Sequence, residues 1–418
     1  MREAVHGRSD RPLRVVYATF VDASVPNGPG VNEREFAHAL TACIELEDPV
    51  VLLPHPQREL PEGQGSYFFY WTPRSPLFRW IVGQVSFALA LRRVVRRARP
   101  DVVILRLDAL PVGAALGLAF RRVPIACKSV GSGSYEALRS LPVIGRIAVW
   151  AQRWVMTRLL RRSVVLDTVT NELRMLAAGQ YDVHPDRIVV IQNGVNTDRF
   201  APNDRKRMRM EVGLERFDPL IGFAGGHPWD RGGRQIVHAV AELISDFPNI
   251  GAVVLGPLGT GHQDLVALAE SLGVSARCCF PGVVDLAELP AFVAGFDVGI
   301  SLDRPERAAA VGNSSQKLRQ YIACGVPVVT SQGTNNFVEE EHLGTLVNPD
   351  DQAGVTEALR RWLSLSNTER AEHTERAAAY AAEHLSVSTL LATRIDLFRQ
   401  RIPKTSAMGA RSGETSIR

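Results

Sequence analysis

The chain has 418 residues, 45% of them hydrophobic and 22% charged, and a net charge of +4. That length exceeds one ordinary core and sets two domains as the expectation, while the composition excludes a disordered or fibrous chain. The charge is uneven. Residues 74–162 hold 17 Arg and Lys against three acids, Asp101, Asp108 and Glu136, which suggests an anionic partner for that stretch, either membrane or nucleic acid.

Cys43, Cys127, Cys278, Cys279 and Cys324 form no C-x-x-C pair and have no His cluster beside them. They read as reduced core thiols, with neither a metal site nor a disulfide framework. The opening MREAVHGRSDRPLR has no apolar signal region, and no uninterrupted apolar run reaches the roughly 18 residues a spanning helix needs. The expected compartment is the cytoplasm.

Residues 1–11 are polar and expected to be disordered. Residues 14–20 read as a buried strand, followed by the loop DASVPNGPGVN and a helix over 33–42. Strand, glycine loop and helix is how a doubly wound domain presents backbone amides at the carboxyl end of its sheet, and a plain βα connection gives the same pattern. Further strands are expected at 49–53, 102–105, 123–129, 164–169 and 188–191, with helical patterns between them. The alternation predicts a mostly parallel sheet covered on both faces.

Two helical patterns stand out, 76–99 and 141–162. Both mix Trp, Leu and Ile with spaced Arg, the first adding Phe, and contain no acid. Helices lying on an anionic membrane surface have this profile; a core helix with a solvated basic face has it too. No stacking platform or recognition motif accompanies them, so nucleic acid is not the expected partner.

The segment IQNGVNTDRF, residues 191–200, turns at Asn193-Gly194 and closes the first half. The first domain is therefore placed at 12–195, a linker with a short helix at 196–217, and the second domain at 218–384. In that second half, strands at 220–224, 250–255, 277–280, 298–302, 326–330 and 345–347 alternate with helices, and two helices close it. The fold class that follows is α/β, with two doubly wound Rossmann-like domains. Residues 402–418 read as a polar tail.

The stretch GNSSQKLRQYIACGVPVVTS, residues 312–331, compresses loop, helix, turn and buried strand. Asn313 is expected to cap the helix, with Gln316 completing a capping box. Leu318, Tyr321 and Ile322 share one buried face, and Lys317 and Gln320 meet on another. Gly325 suits the left-handed position after the helix. The small residues Asn313, Ser314 and Ser315 leave the helix start open, and its unpaired amides attract an anion, with Lys317 adding a full charge. An ordinary capped helix is the plainer reading. A second loop, GGHPWDRGG at 225–233, follows a strand end. Its glycines, Gly225, Gly226, Gly232 and Gly233, permit close backbone approach. His227 and Arg231 sit between them, and Arg231 can pair with phosphate oxygens in two-pronged fashion.

Taken together, IQNGVNTDRF, GFAGGHPWDRGG and SSQKLRQYIACGVPVVTS resemble the glycosyltransferases of the GT-B fold, family 4, a large retaining group. The resemblance covers the second half well and the first half loosely. It implies that Arg231-Gly232 is the basic-Gly pair whose cation binds the donor diphosphate. It also implies that Lys317 is a basic residue of one branch of the group and that Gln320 stands at the ribose-binding position. Gly30 matches the loop that closes over the phosphates. With Gly232 of that pair, the loop residues Gly226 and His227, which stand where the family has an Arg, and the helix-start residues Asn313, Ser314 and Ser315 complete the expected donor site, and a helix near 385–401 is expected to cross back onto the first domain. The chain departs from the family where an acid is usual, eight residues before Gln320, since Gly312 stands there. It departs again in CKSVGSGS, where a His is usual.

The function implied is transfer of a sugar from a nucleotide sugar to a lipid-linked or glycan acceptor, with retention and with neither metal nor cofactor. Arg231 and Lys317 would be the catalytic cations, and the enzyme would lie peripherally on the inner face of a membrane. A nucleotide-binding scaffold without transfer activity, or a sugar-nucleotide epimerase of the same fold, are the alternatives.

Overall fold

The computed structural model describes residues 11–25, 27–57, 66–73, 76–107, 111–129, 143–333 and 335–402. The expected disordered start, most of the polar tail and the segment VGSGS lie outside the described residues.

Two all-parallel sheets organise the chain. The first contains β1 (Val15–Ala18), β2 (Val50–Pro54), β3 (Ser66–Tyr70), β4 (Val102–Arg106), β5 (Ile125–Ser129), β6 (Ser163–Thr168) and β7 (Ile188–Val190). Its spatial order is β3-β2-β1-β4-β5-β6-β7. The second contains β8 (Leu220–Ala224), β9 (Gly251–Leu255), β10 (Cys278–Gly282), β11 (Val298–Ser301), β12 (Val328–Ser331) and β13 (Gly344–Val347), in the order β10-β9-β8-β11-β12-β13. Short apolar strands with alternating sides explain both. Val16 and Ala18 face one core layer, Val15 and Tyr17 the other. Leu220 and Ala224 are likewise separated from Ile221 and Phe223. A sheet buried on both faces requires such continuous hydrophobic runs. In each sheet the order reverses beside the first strand, between β1 and β4 and between β8 and β11, and the crevice at such a switch point is where ligands sit.

Two elements escape the sequence pattern. The edge strand β3, SYFFY, bonds to β2 alone and leaves Phe69 exposed, so it lacks the apolar signature of its neighbours. A helix over Pro305–Val311 occupies what reads as a loop. The stretch expected to be a linker does carry the short helix Arg205–Glu211. Yet Met208, Leu214 and Phe217 are buried in the second domain's core, and Arg209 is buried between the Gly295 and Phe217 carbonyls. Residues 208–217 therefore belong to that domain.

The connecting helices are α1 (Gly28–Ala42), α2 (Pro76–Ala98), α3 (Val112–Gly117), α4 (Val143–Arg162), α5 (Asn171–Tyr181), α6 (Arg205–Glu211), α7 (Gly233–Leu243), α8 (Thr260–Ser271), α9 (Leu289–Ala294), α10 (Pro305–Val311), α11 (Gln316–Ala323), α12 (Phe337–Glu340), α13 (Gln352–Leu363), α14 (Asn367–Tyr380) and α15 (Val387–Arg401). The basic helix α2 buries Phe87, Leu91, Val94 and Val95 in the first core while Val85 and Leu89 stay exposed. It is a core helix and an exposed apolar-basic face at once. The last helix, α15, lies on the first domain: Val387, Leu391, Ile395 and Phe398 enter its core, and Arg394 pairs with the buried Asp167 at 2.7 Å. Among the described residues no helix is long and apolar enough to cross a membrane. All five cysteines carry free thiols.

Candidate functional site

The carboxyl ends of β8 and β11 carry the residues singled out in the second domain. The loop after β8 turns at Gly225 and His227, both with positive φ, and then at Gly232. A Cβ at Gly232 would lie 2.4 Å from Ile300 Cγ2, and its φ of 121° is a glycine conformation. Glycine there lets the loop lie flat on β11. Arg231 is tied to the same strand end: its carbonyl accepts from Leu302 N at 3.2 Å, and its guanidinium lies 3.7 Å from Asp303 Oδ1. Gly226 and His227 are exposed, and a Cβ at Gly226 would meet nothing within 4 Å.

Helix α11 brings Lys317 to this loop. Its Nζ lies 4.2 Å from the Phe223 ring centre, and a Cβ at Gly225 would be 3.6 Å from Lys317 Cδ. Lys317, Gln320, Leu318, Tyr321 and Ile322 are all buried. The helix is thus enclosed all round rather than along one face, because β11, β12 and the closing helices cover it. Tyr321 fixes its height: Ala224 N donates to the Tyr321 hydroxyl at 2.8 Å.

The helix start corrects the sequence reading. Asn313 is not the cap and no capping box forms. The cap position is Ser315, without a side-chain bond, and Asn313 Oδ1 instead accepts from Ser315 N at 3.0 Å. The Asn313 side chain therefore closes the loop before the helix, and the open amides begin with Gln316. Ser314 faces the other domain: its hydroxyl accepts from Asn193 N at 3.2 Å and its carbonyl from Asn193 Nδ2 at 3.0 Å. Ser315 Oγ lies 3.4 Å from Ser301 Oγ. Gln316 Nε2 donates to Gly194 O at 2.6 Å, and buried Arg319 donates to the Gln192 side chain. The junction IQNG is therefore bonded directly to the start of α11. Burial without a carboxylate partner pulls the Arg319 guanidinium down to about 10.

The first domain reaches this seam through α5. Thr170 Oγ1 donates to Val311 O at 2.7 Å. A Cβ at Gly312 would lie 2.3 Å from Glu172 Oε2. The Glu172 carboxylate thus occupies the space a side chain at 312 would fill. Neither Glu172 nor Asp303 carries a motif signal; Asp303 was legible only as the second residue beyond a strand at the switch point.

On the first domain's own strand ends, Glu33 is fully buried and bonded to Tyr17 and Arg106, with Lys128 Nζ at 3.6 Å. Burial raises the Glu33 carboxyl, but Arg106 and Lys128 outweigh it and hold the group below its usual range. Burial pulls Lys128 down to about 8, against the opposing pull of Glu33. Gly30 lies in the first turn of α1, and the Asn27 cap takes its amide. Its N–H donates to Asn27 Oδ1 at 2.8 Å, and a Cβ there would strike Val25 O at 2.1 Å. Among the described residues no cluster of His, Cys, Asp and Glu has a metal-holding arrangement.

Two family models match the chain: Glycosyltransferase Family 4 over residues 33–199 and Glycosyl transferases group 1 over residues 218–365. The chain belongs to the GT-B glycosyltransferases. Among solved structures, the Anabaena HepE protein in complex with UDP superposes with a TM-score of 0.66 at 16% identity, covering 93% of this chain and 100% of that one. Among curated proteins, the D-inositol 3-phosphate glycosyltransferase of Frankia alni is 31% identical over 193 residues, 44% of this chain and 46% of the relative. The 2-deoxystreptamine glucosyltransferase of Streptomyces kanamyceticus is 28% identical over 230 residues, 52% of this chain and 57% of the relative. The match spans about half the length of these curated relatives.

Proposed function

We propose that this chain is a retaining, metal-independent glycosyltransferase that moves a sugar from a nucleoside-diphosphate sugar to a lipid-linked or glycan acceptor. The observation that carries the reading is the placing of Arg231 and Lys317 at the ends of the adjacent strands β11 and β8. Arg231 is anchored to the end of β11, and Lys317 lies against Gly225 at the start of α11. Negative charge grows on the leaving diphosphate as the glycosidic bond breaks. Fixed cations and first-turn amides aimed at that charge lower the barrier without reorganising. These side chains supply the charge that a divalent ion would otherwise bring, so a chelator leaves turnover unchanged. Retention rests on the family, and the anomer of the product tests it.

Thermal melts against uridine, guanosine, adenosine and thymidine diphosphates test the donor site. A ligand at a hundredfold its dissociation constant stabilises by roughly 2.7 kcal/mol. One base shifts the melt and Arg231→Ala reduces the shift; no shift with any base removes the reading. A nucleotide-binding scaffold is the second reading, favoured by Gly312, which offers no side chain to a sugar. Binding without transfer to any acceptor would select it.

The acceptor side is a basic, apolar face. Leu89 on α2, Leu116 on α3, and Ile147, Trp150 and Trp154 on α4 are all at least half exposed, and these three helices pack together. Arg92, Arg93, Arg96 and Arg97 flank Leu89, and the Arg158 guanidinium lies 4.2 Å from the Trp154 ring. Aromatics at the interface and Arg at headgroup level suit the anionic cytoplasmic leaflet. Flotation with anionic but not neutral vesicles is the expected result, and equal flotation removes the membrane from the proposal.

A further inference from the structure

Asp303 is a buried carboxylate placed among the cations of the site. It follows β11 at the sheet's switch point, and its side chain is 5% exposed. Its backbone is locked on both sides by one hydroxyl: Asp303 N donates to Ser331 Oγ at 2.7 Å, and Ser331 Oγ donates to Asp303 O at 3.0 Å. Its backbone is therefore held beside that of Arg231, whose own carbonyl is tied to Leu302. The 3.7 Å separation between Arg231 and Asp303 Oδ1 is an ion pair longer than a hydrogen bond. A second salt link, Arg304 to Asp230, holds the same two loops together from outside, so the loop does not depend on Asp303 alone for its place.

A carboxylate here does two things. It attracts the Arg231 guanidinium toward the strand end. It also lowers the positive potential that a bound diphosphate feels, by one unit charge, in a partly buried site where screening is weak. A site built only for tight anion binding would omit it. We propose that Asp303 is the counter-ion that weakens the hold of the Arg231 and Lys317 site on diphosphate, so that the nucleoside diphosphate formed in each turnover is released. The proposal rests on the donor-site reading above and adds a residue that tunes it.

The sign of the prediction separates this role from a structural one. Asp303→Asn keeps the side chain's shape and leaves the backbone bonds with Ser331 in place, removing the charge alone. Binding of the nucleoside diphosphate that stabilises the parent protein is measured by calorimetry, together with the matching uncharged nucleoside. Asp303→Asn tightens the diphosphate on the order of tenfold and leaves the nucleoside unchanged, while Asp303→Glu, which restores the charge, returns toward the parent value. In the Asp303→Asn background Arg231→Ala weakens diphosphate binding less than it does in the parent, because in the parent it also takes away the cation that offsets the Asp303 charge near the phosphates. Weaker diphosphate binding in Asp303→Asn, or an equal change for nucleoside and diphosphate, overturns the proposal and assigns Asp303 to structure. If the parent protein binds no nucleoside diphosphate, the donor-site reading itself fails and this proposal falls with it.

Discussion

Replacing Gly312 by Ala perturbs the seam between the domains at one atom. Gly312 has φ 67° and ψ −174°, a region nearly restricted to glycine, and an L-residue there costs about 1–3 kcal/mol. The added Cβ would also lie 2.7 Å from Thr170 Cβ and 2.3 Å from Glu172 Oε2. Glu172 is partly exposed, and its flexible side chain can swing aside. Thr170 cannot withdraw without losing its bond to Val311 O, worth about 1 kcal/mol. The two costs differ in kind. Backbone strain persists whatever the domains do, whereas the contact with Thr170 is relieved when they part. Gly312→Ala should therefore destabilise the second domain by about 1–3 kcal/mol in urea and increase protease cleavage at residues 192–196. Adding Glu172→Ala should recover little of either effect. Unfolding and cleavage both equal to the parent's would refute the reasoning.

Two further changes test the second domain's frame. His373 is buried, and burial first, then the Arg376 charge, pulls its imidazole from 6.5 to about 4. Its folded pKa lies below the unfolded one, so the unfolded chain takes up the proton first. Stability is full above about pH 6.5 and falls as pH drops toward 4, by up to about 3 kcal/mol. His373→Leu should remove that share of the acid loss when urea midpoints at pH 7 and pH 4.5 are compared. Asp297 is a buried carboxylate facing three guanidinium groups, those of Arg205, Arg209 and Arg370. Asp297→Ala leaves buried Arg370 without this carboxylate and buried Arg209 with Asp218 alone, and should cost about 3–5 kcal/mol, read as a lower urea midpoint with nucleotide affinity unchanged at low urea.

The amino-acid sequence by itself determined the two doubly wound domains and marked two candidate loops. Buried parallel strands announce themselves as short apolar runs; Gly225 to Gly233 follows such a run with glycines, and Gly312 to Ser331 opens with glycine and small polar residues and ends in one. Local chemistry also set Gly325 past α11, where φ is 72°. It did not set the helix start, because Asn313 had two local partners within reach. Tertiary contacts from Asn193 to Ser314 favoured the loop over the cap. Nor did it reveal Asp303 beside Arg231 or Glu172 beside Gly312. Those pairs are 72 and 140 residues apart in the chain, and only the packing of strand ends at the switch point and of α5 across the seam brings them together. Periodicity records which side of an element is buried, but not which charged group from another element lies opposite it.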